Sequence, residues 1–141
     1  MSTENLIIDG CFAEDLTHWR AFPAEYVSIV HNPAGDNYAK IFSGSAAGLS
    51  QIVQCEPGDY TVTFQSSYVG PNCSVRVSGI KETGGSELII YPNIPFNSNQ
   101  NIWNTNTFNV SMAEKYHALK VEFYTTYQTT FMLTNVSLTQ K

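Results

Sequence analysis

Short runs of alternating apolar and polar residues recur along the whole chain, each closed by a turn signal, and no stretch shows the 3.6-residue period of a helix. In segment 60–69, Tyr60, Val62 and Phe64 fall on one side, and Thr61, Thr63, Gln65 and Ser67 on the other. In 73–80, Cys73, Val75 and Val77 oppose Ser74, Arg76 and Ser78. In 103–112, Phe108, Val110 and Met112 oppose Trp103, Thr105, Thr107 and Asn109; in 118–124, Leu119, Val121 and Phe123 oppose Lys120, Glu122 and Tyr124. Segments 6–9, 26–31, 38–42, 49–55, 87–91 and 131–138 share the β-branched and aromatic enrichment. Pro33-Ala34-Gly35, Ser43-Gly44-Ser45, Pro57-Gly58, Gly70-Pro71-Asn72 and Gly84-Gly85 punctuate them. A strand with one apolar face must bury it against a second layer. The pattern therefore predicts an all-β fold, an antiparallel two-sheet β-sandwich or jelly roll.

The 141 residues fit one domain, 1–141, with no internal repeat, linker or low-complexity tract. Such a length buries a core without a metal or disulfide staple. Charged residues are only 13% of the chain and its net charge is −5. Nucleic acid is not expected as a partner, because it demands a basic stripe. No apolar run approaches the ~20 residues of a membrane-spanning helix, so membrane insertion is not expected. Residues 1–5 carry neither the basic region nor the apolar stretch of a signal peptide. A surface short of charge and rich in Thr, Ser, Asn, Gln and Tyr suits a neutral, hydroxyl-rich partner.

Cys55 closes one segment and Cys73 opens another, and the strand between them spans on the order of 30 Å. A disulfide needs Cα atoms within about 7 Å, and Cys11 has no evident partner, so all three are expected as free thiols. His18, His31 and His117 are scattered and no CxxC occurs, so no zinc site is expected. Without a G-x-S-x-G elbow or a recognisable carboxylate pair, catalysis is not expected.

Three pieces stand in order along nearly the whole chain. The first is Asn5-Leu6-Ile7-Ile8-Asp9-Gly10-Cys11-Phe12 with Leu16-Thr17-His18-Trp19. The second is Gly48-Leu49-Ser50-Gln51-Ile52-Val53 with Pro57-Gly58 and Tyr60-Thr61-Val62-Thr63-Phe64. The third is Phe131-Met132-Leu133-Thr134-Asn135-Val136-Ser137-Leu138. Together they resemble family 4/9/22-like carbohydrate-binding modules. The resemblance implies a galactose-binding-like jelly roll that binds poly- or oligosaccharide without catalysis, on a concave sheet or a loop rim, with Phe12, Trp19, Tyr60 and Phe64 in the core. Such modules often hold a structural calcium. Ala13, Thr134 and Asn135 stand where they keep carboxylates, so the resemblance implies an eroded site, with Glu14 and Asp15 the remaining acids nearby, and no cofactor is expected. The same fold serves attachment proteins, phage appendages included. A subunit of such an assembly, with other subunits as partners, is the alternative.

On the outward faces, the candidate ligand-binding residues are Trp103, Tyr124, Glu122, Gln65, Arg76 and Tyr91, with Tyr68 and Tyr127 beside them. Sugars present apolar C–H faces ringed by hydroxyls. An aromatic ring covers the first at low entropic cost. Planar amides, carboxylates and guanidinium groups reach the second.

Overall fold

The computed structural model describes residues 4–33, 37–43, 46–97, 99, 102–126 and 129–141. The turn signals at 34–36 and 44–45, part of the 93–101 loop and the candidate Tyr127 lie outside them. The strands are β1 (Arg20–Phe22), β2 (Val27–Val30), β3 (Tyr38–Ser43), β4 (Ala47–Gln54), β5 (Gly58–Ser67), β6 (Cys73–Lys81), β7 (Ser86–Ile90), β8 (Asn104–Met112), β9 (Tyr116–Thr125) and β10 (Thr129–Gln140), with one 3-10 turn at Ala24–Tyr26. They form two five-stranded sheets, in the orders β1-β4-β9-β6-β7 and β2-β3-β10-β5-β8. Every pairing is antiparallel. The all-β two-sheet sandwich predicted from alternation is the fold observed.

The inner faces follow the alternation. Tyr60, Val62 and Phe64 on β5, Val75 and Val77 on β6, and Leu119, Val121 and Phe123 on β9 are all buried. An aromatic chain runs through the middle of the core. Phe12 packs on Trp19 with centroids 5.2 Å apart, and Phe64 meets Phe123 edge-on at 4.9 Å. Trp19 also reaches Phe123, at 6.4 Å. Trp19 buries its ring and satisfies its polar tip, since Nε1 donates to the Asp9 carbonyl at 3.0 Å.

The 6–9 segment is not a strand. It runs beside β10 as a strap whose pairing is made largely by side-chain amides. Leu6 N–H donates to the Leu138 carbonyl at 2.9 Å, and Val136 N–H to the Gly10 carbonyl at 3.1 Å. Between these, Asn5 Oδ1 accepts from Leu138 N–H at 3.0 Å and Asn5 Nδ2 donates to the Val136 carbonyl at 3.2 Å. On the other flank Gln51 brackets Ile8, accepting from its N–H at 2.8 Å and donating to its carbonyl at 2.9 Å. A ladder cannot continue because Asp9 turns left-handed (φ 56) and its carboxylate binds the Ala13 and Glu14 amides. Gly10 is required there: a Cβ would lie 2.1 Å from the Val136 carbonyl oxygen. The strand that alternation missed, β1, is three residues long, too short to show a period.

Short connections exchange sheets. β8 and β9 are consecutive in sequence, yet β8 edges one sheet and β9 lies at the centre of the other. The cysteines follow the strand-length argument. Cys55 N–H donates to the His117 carbonyl, whereas Cys73 sits opposite Thr125, eight residues further along β9 and on the order of 26 Å away. All three thiols are free.

Candidate functional site

The outward face of the β1-β4-β9-β6-β7 sheet is organised in cross-strand rows. The pairing register places Arg20, Ser50, Glu122 and Arg76 side by side on β1, β4, β9 and β6. The next row is Phe22, Gly48, Tyr124 and Ser74, and on the far side of the charged row come Ile52, Lys120 and Ser78. Tyr91 follows directly after β7 and reaches over β6. Arg76 Nη2 donates to its hydroxyl at 3.1 Å, and the guanidinium lies 4.6 Å from the Tyr91 ring centre and 3.7 Å from that of Tyr124. The hydrogen bond from Arg76 holds the Tyr91 phenol below its ordinary pKa. Glu122 stands between two cations, 3.9 Å from Arg76 Nη1 and 3.7 Å from Lys120 Nζ.

Gly48 makes the face a cradle rather than a plane. A Cβ there would meet Glu122 Oε2 at 3.0 Å. With only hydrogen at that position, a depression opens beside Phe22, and Phe22 and Tyr124 stand on either side of Gly48 in the register, their Cα atoms about 10 Å apart across two strand spacings. Phe22 is 71% exposed, so its ring is open to a partner. Two contiguous depressions, of about 250 and 340 Å³, share Arg20, Ser50 and Lys120. A pyranose ring laid in the depression would have the Phe22 ring for a C–H face and Glu122, Ser50, Arg20 and Lys120 for its hydroxyls.

Four of the six candidates, Tyr124, Glu122, Arg76 and Tyr91, therefore share this face. Trp103 and Gln65 do not. Trp103 precedes β8 in the opposite layer, where it packs edge-on against Tyr38 at 5.3 Å. Gln65 lies on the outer side of β5 and accepts from Asn135 Nδ2. Strands 103–112 and 118–124 do not build one groove, because the connection between them crosses the sandwich. Tyr68 lies elsewhere, beside a separate cavity of about 260 Å³ that it shares with Phe96 and Pro71. Arg20, Phe22, Gly48, Ser50 and Lys120 are not among the ligand-binding candidates the sequence offers. Lys120 was legible as outward-facing; the others depend on the β1–β4 register.

The place where the resemblance puts calcium holds hydrogen-bond donors instead. Thr134 Oγ1 donates to the Asn37 carbonyl at 2.6 Å, and Asn37 Nδ2 donates to the Phe12 carbonyl at 3.1 Å. The Asp9 carboxylate is engaged by the Ala13 and Glu14 amides. No group of three or more His, Cys, Asp and Glu side chains fit to hold a metal occurs among the described residues. A hard cation needs several free oxygens, and these residues do not fit one.

No protein-family model matches the sequence and no curated protein matches it. Solved structures do. A family 61 carbohydrate-binding module in complex with β-1,4-galactotriose superposes with a TM-score of 0.71 at 14% identity, covering 98% of this chain and 99% of its own. The family 22 xylan-binding domain from Paenibacillus barcinonensis gives 0.71 at 11% identity, over 99% and 96%. The enzymatically active domain of tailspike protein 4 from bacteriophage CBA120 gives 0.78 at 14% identity, over 97% of this chain and 21% of that one. The chain thus has the jelly-roll fold of carbohydrate-binding modules, and it spans about a fifth of the tailspike chain it resembles.

Proposed function

We propose that this chain binds a poly- or oligosaccharide, without catalysis, on the outward face of the β1-β4-β9-β6-β7 sheet. The observation that carries the reading is the depression over Gly48, lined by Phe22, Arg20, Ser50, Lys120 and Glu122, with Tyr124 next to Gly48 in the pairing register. The fold it shares with galactotriose- and xylan-binding modules supports the same reading. A shallow face in competition with water gives modest affinity. Calorimetric titration of Phe22→Ala and Tyr124→Ala against a glycan selected on an array tests it. Each truncation is expected to cost about 1–3 kcal/mol of binding, while Trp103→Ala leaves affinity unchanged. Equal affinity in all three variants would move the site off this face.

The likeness to a tailspike domain favours a second reading, in which the chain is a building block of an attachment protein. The readings converge if such a protein grips surface glycans. Absence of binding across a broad array, with a stable oligomer in solution, would leave the second standing alone.

A further inference from the structure

We infer that the sugar taken by this face is acidic, with a carboxylate seated between Arg20 and Lys120 above Ser50. The inference rests on the sugar-binding reading above and narrows it. Its ground is the distribution of charge. The chain carries only seven basic residues and a net charge of −5, yet three of the seven, Arg20, Arg76 and Lys120, stand on this face. Both of the chain's arginines fall in the single row Arg20–Ser50–Glu122–Arg76.

The one carboxylate in that row, Glu122, cannot satisfy all three. It is shared by Arg76 and Lys120 at 3.9 and 3.7 Å, both too long for tight pairs. Arg20 has no ion pair among the described residues. Three cations against one carboxylate leave the patch two units positive. Exposed charge on an edge strand such as β1 guards against pairing with another sheet, but that role needs no particular cation. A guanidinium facing a cleft, with a buried serine as floor, adds what edge protection does not require: a planar donor pair that matches a carboxylate. Ser50 is 5% exposed, and with Arg20 and Lys120 it borders both depressions.

The negative charge of the whole molecule does not cancel this local field. At physiological ionic strength, exposed charges beyond about 8 Å are largely screened. The cations lining the seat act at hydrogen-bonding distance, so the local sign decides.

The test is an array of glycans carrying uronic or sialic acids, each beside its methyl ester, with sulfated and neutral chains included. The wild type is expected to prefer the free acids over their esters by about tenfold, the factor set by one charge-assisted contact. That preference should shrink as salt rises. Arg20→Gln should remove most of it, whereas Lys40→Gln, the same charge change on the opposite sheet, should keep it. Binding of esters and neutral chains as strong as that of the acids would overturn the charge inference and leave the sugar-binding reading intact. Binding of sulfated chains alone would overturn the carboxylate assignment. Silence across the array would overturn both readings.

Discussion

Replacing Gln51 by alanine should loosen the N-terminal strap and destabilise the whole domain. Gln51 is 8% exposed and points inward from β4, at the position where the core ends and the strap begins. Its amide accepts from Ile8 N–H at 2.8 Å and donates to the carbonyls of Ile8 and His18 at 2.9 and 3.1 Å. Neutral hydrogen bonds contribute about 1 kcal/mol each, and the partners at the sandwich margin regain some hydration, so the net loss is about 2–3 kcal/mol. With a urea slope near 2 kcal/mol/M, the unfolding midpoint should fall by about 1–1.5 M while the slope holds. Hydrogen exchange at the Ile8 amide should accelerate far more than at amides in mid-β9, because the strap opens locally first. Gln51→Glu sharpens the test. Its carboxylate would face two carbonyls, which raises its pKa above the ordinary ~4.3. A carboxyl whose folded pKa is raised binds its proton longer folded than unfolded, so this variant should lose stability as pH rises through ~4 and regain it in acid. A midpoint within about 0.2 M of wild type for Gln51→Ala would mean that the strap is held by something else.

Two further outcomes follow from single groups. Glu87 is held down to about 2 by hydrogen bonds from Tyr116, Lys115 and Lys81. Its contribution to stability is complete above the ordinary carboxylate pKa of 4.5 and lost as pH falls toward 2, so Glu87→Gln should flatten the melting temperature against pH in that window, by a small amount because salt screens an exposed cluster. Burial pushes the Cys73 thiol up to about 11, so alkylation of the native protein at pH 8 should spare it until denaturant is added, as read by intact mass; early labelling of Cys73 would contradict its burial.

How far the sequence carried the reading depended on length scale. Faces were legible on β5, β6 and β9 because period-two alternation is a property of one strand alone. Sheet membership was not, because most consecutive strands in this topology cross the sandwich while β2–β3 and β6–β7 stay in one sheet, and nothing in 113–115 announces which layer comes next. This is why Trp103 was grouped with Tyr124 and is found in the other layer. The Leu6-Ile7-Ile8 run resembles a strand since Leu6 and Ile7 dock on the core; apart from Leu6 N–H, its hydrogen bonds are made to the Asn5 and Gln51 side chains, which alternation does not weigh. Phe22 and Gly48 acquire meaning only through register: an exposed Phe and a glycine are ordinary separately and form a notch when paired across two strands.

The two arginines of the charged row differ in their surroundings, and on the acidic-sugar proposal they would differ in task. Arg76 is clasped before any ligand arrives, hydrogen-bonded to Tyr91 and stacked over the Tyr124 ring. Its rotamer entropy is already spent, so contacts it makes cost little more order. Glu122 beside it prefers hydroxyl donors and repels an anion at that end of the row. Arg20, exposed on the edge strand and unpaired by any carboxylate among the described residues, is free to reorient and has charge to give. A sugar with a neutral, hydroxyl-bearing side and a carboxylate side thus meets a row graded in the same sense, hydroxyls toward Glu122 and the acid toward β1. On that proposal the grading would set the ligand's direction on the face as well as its charge.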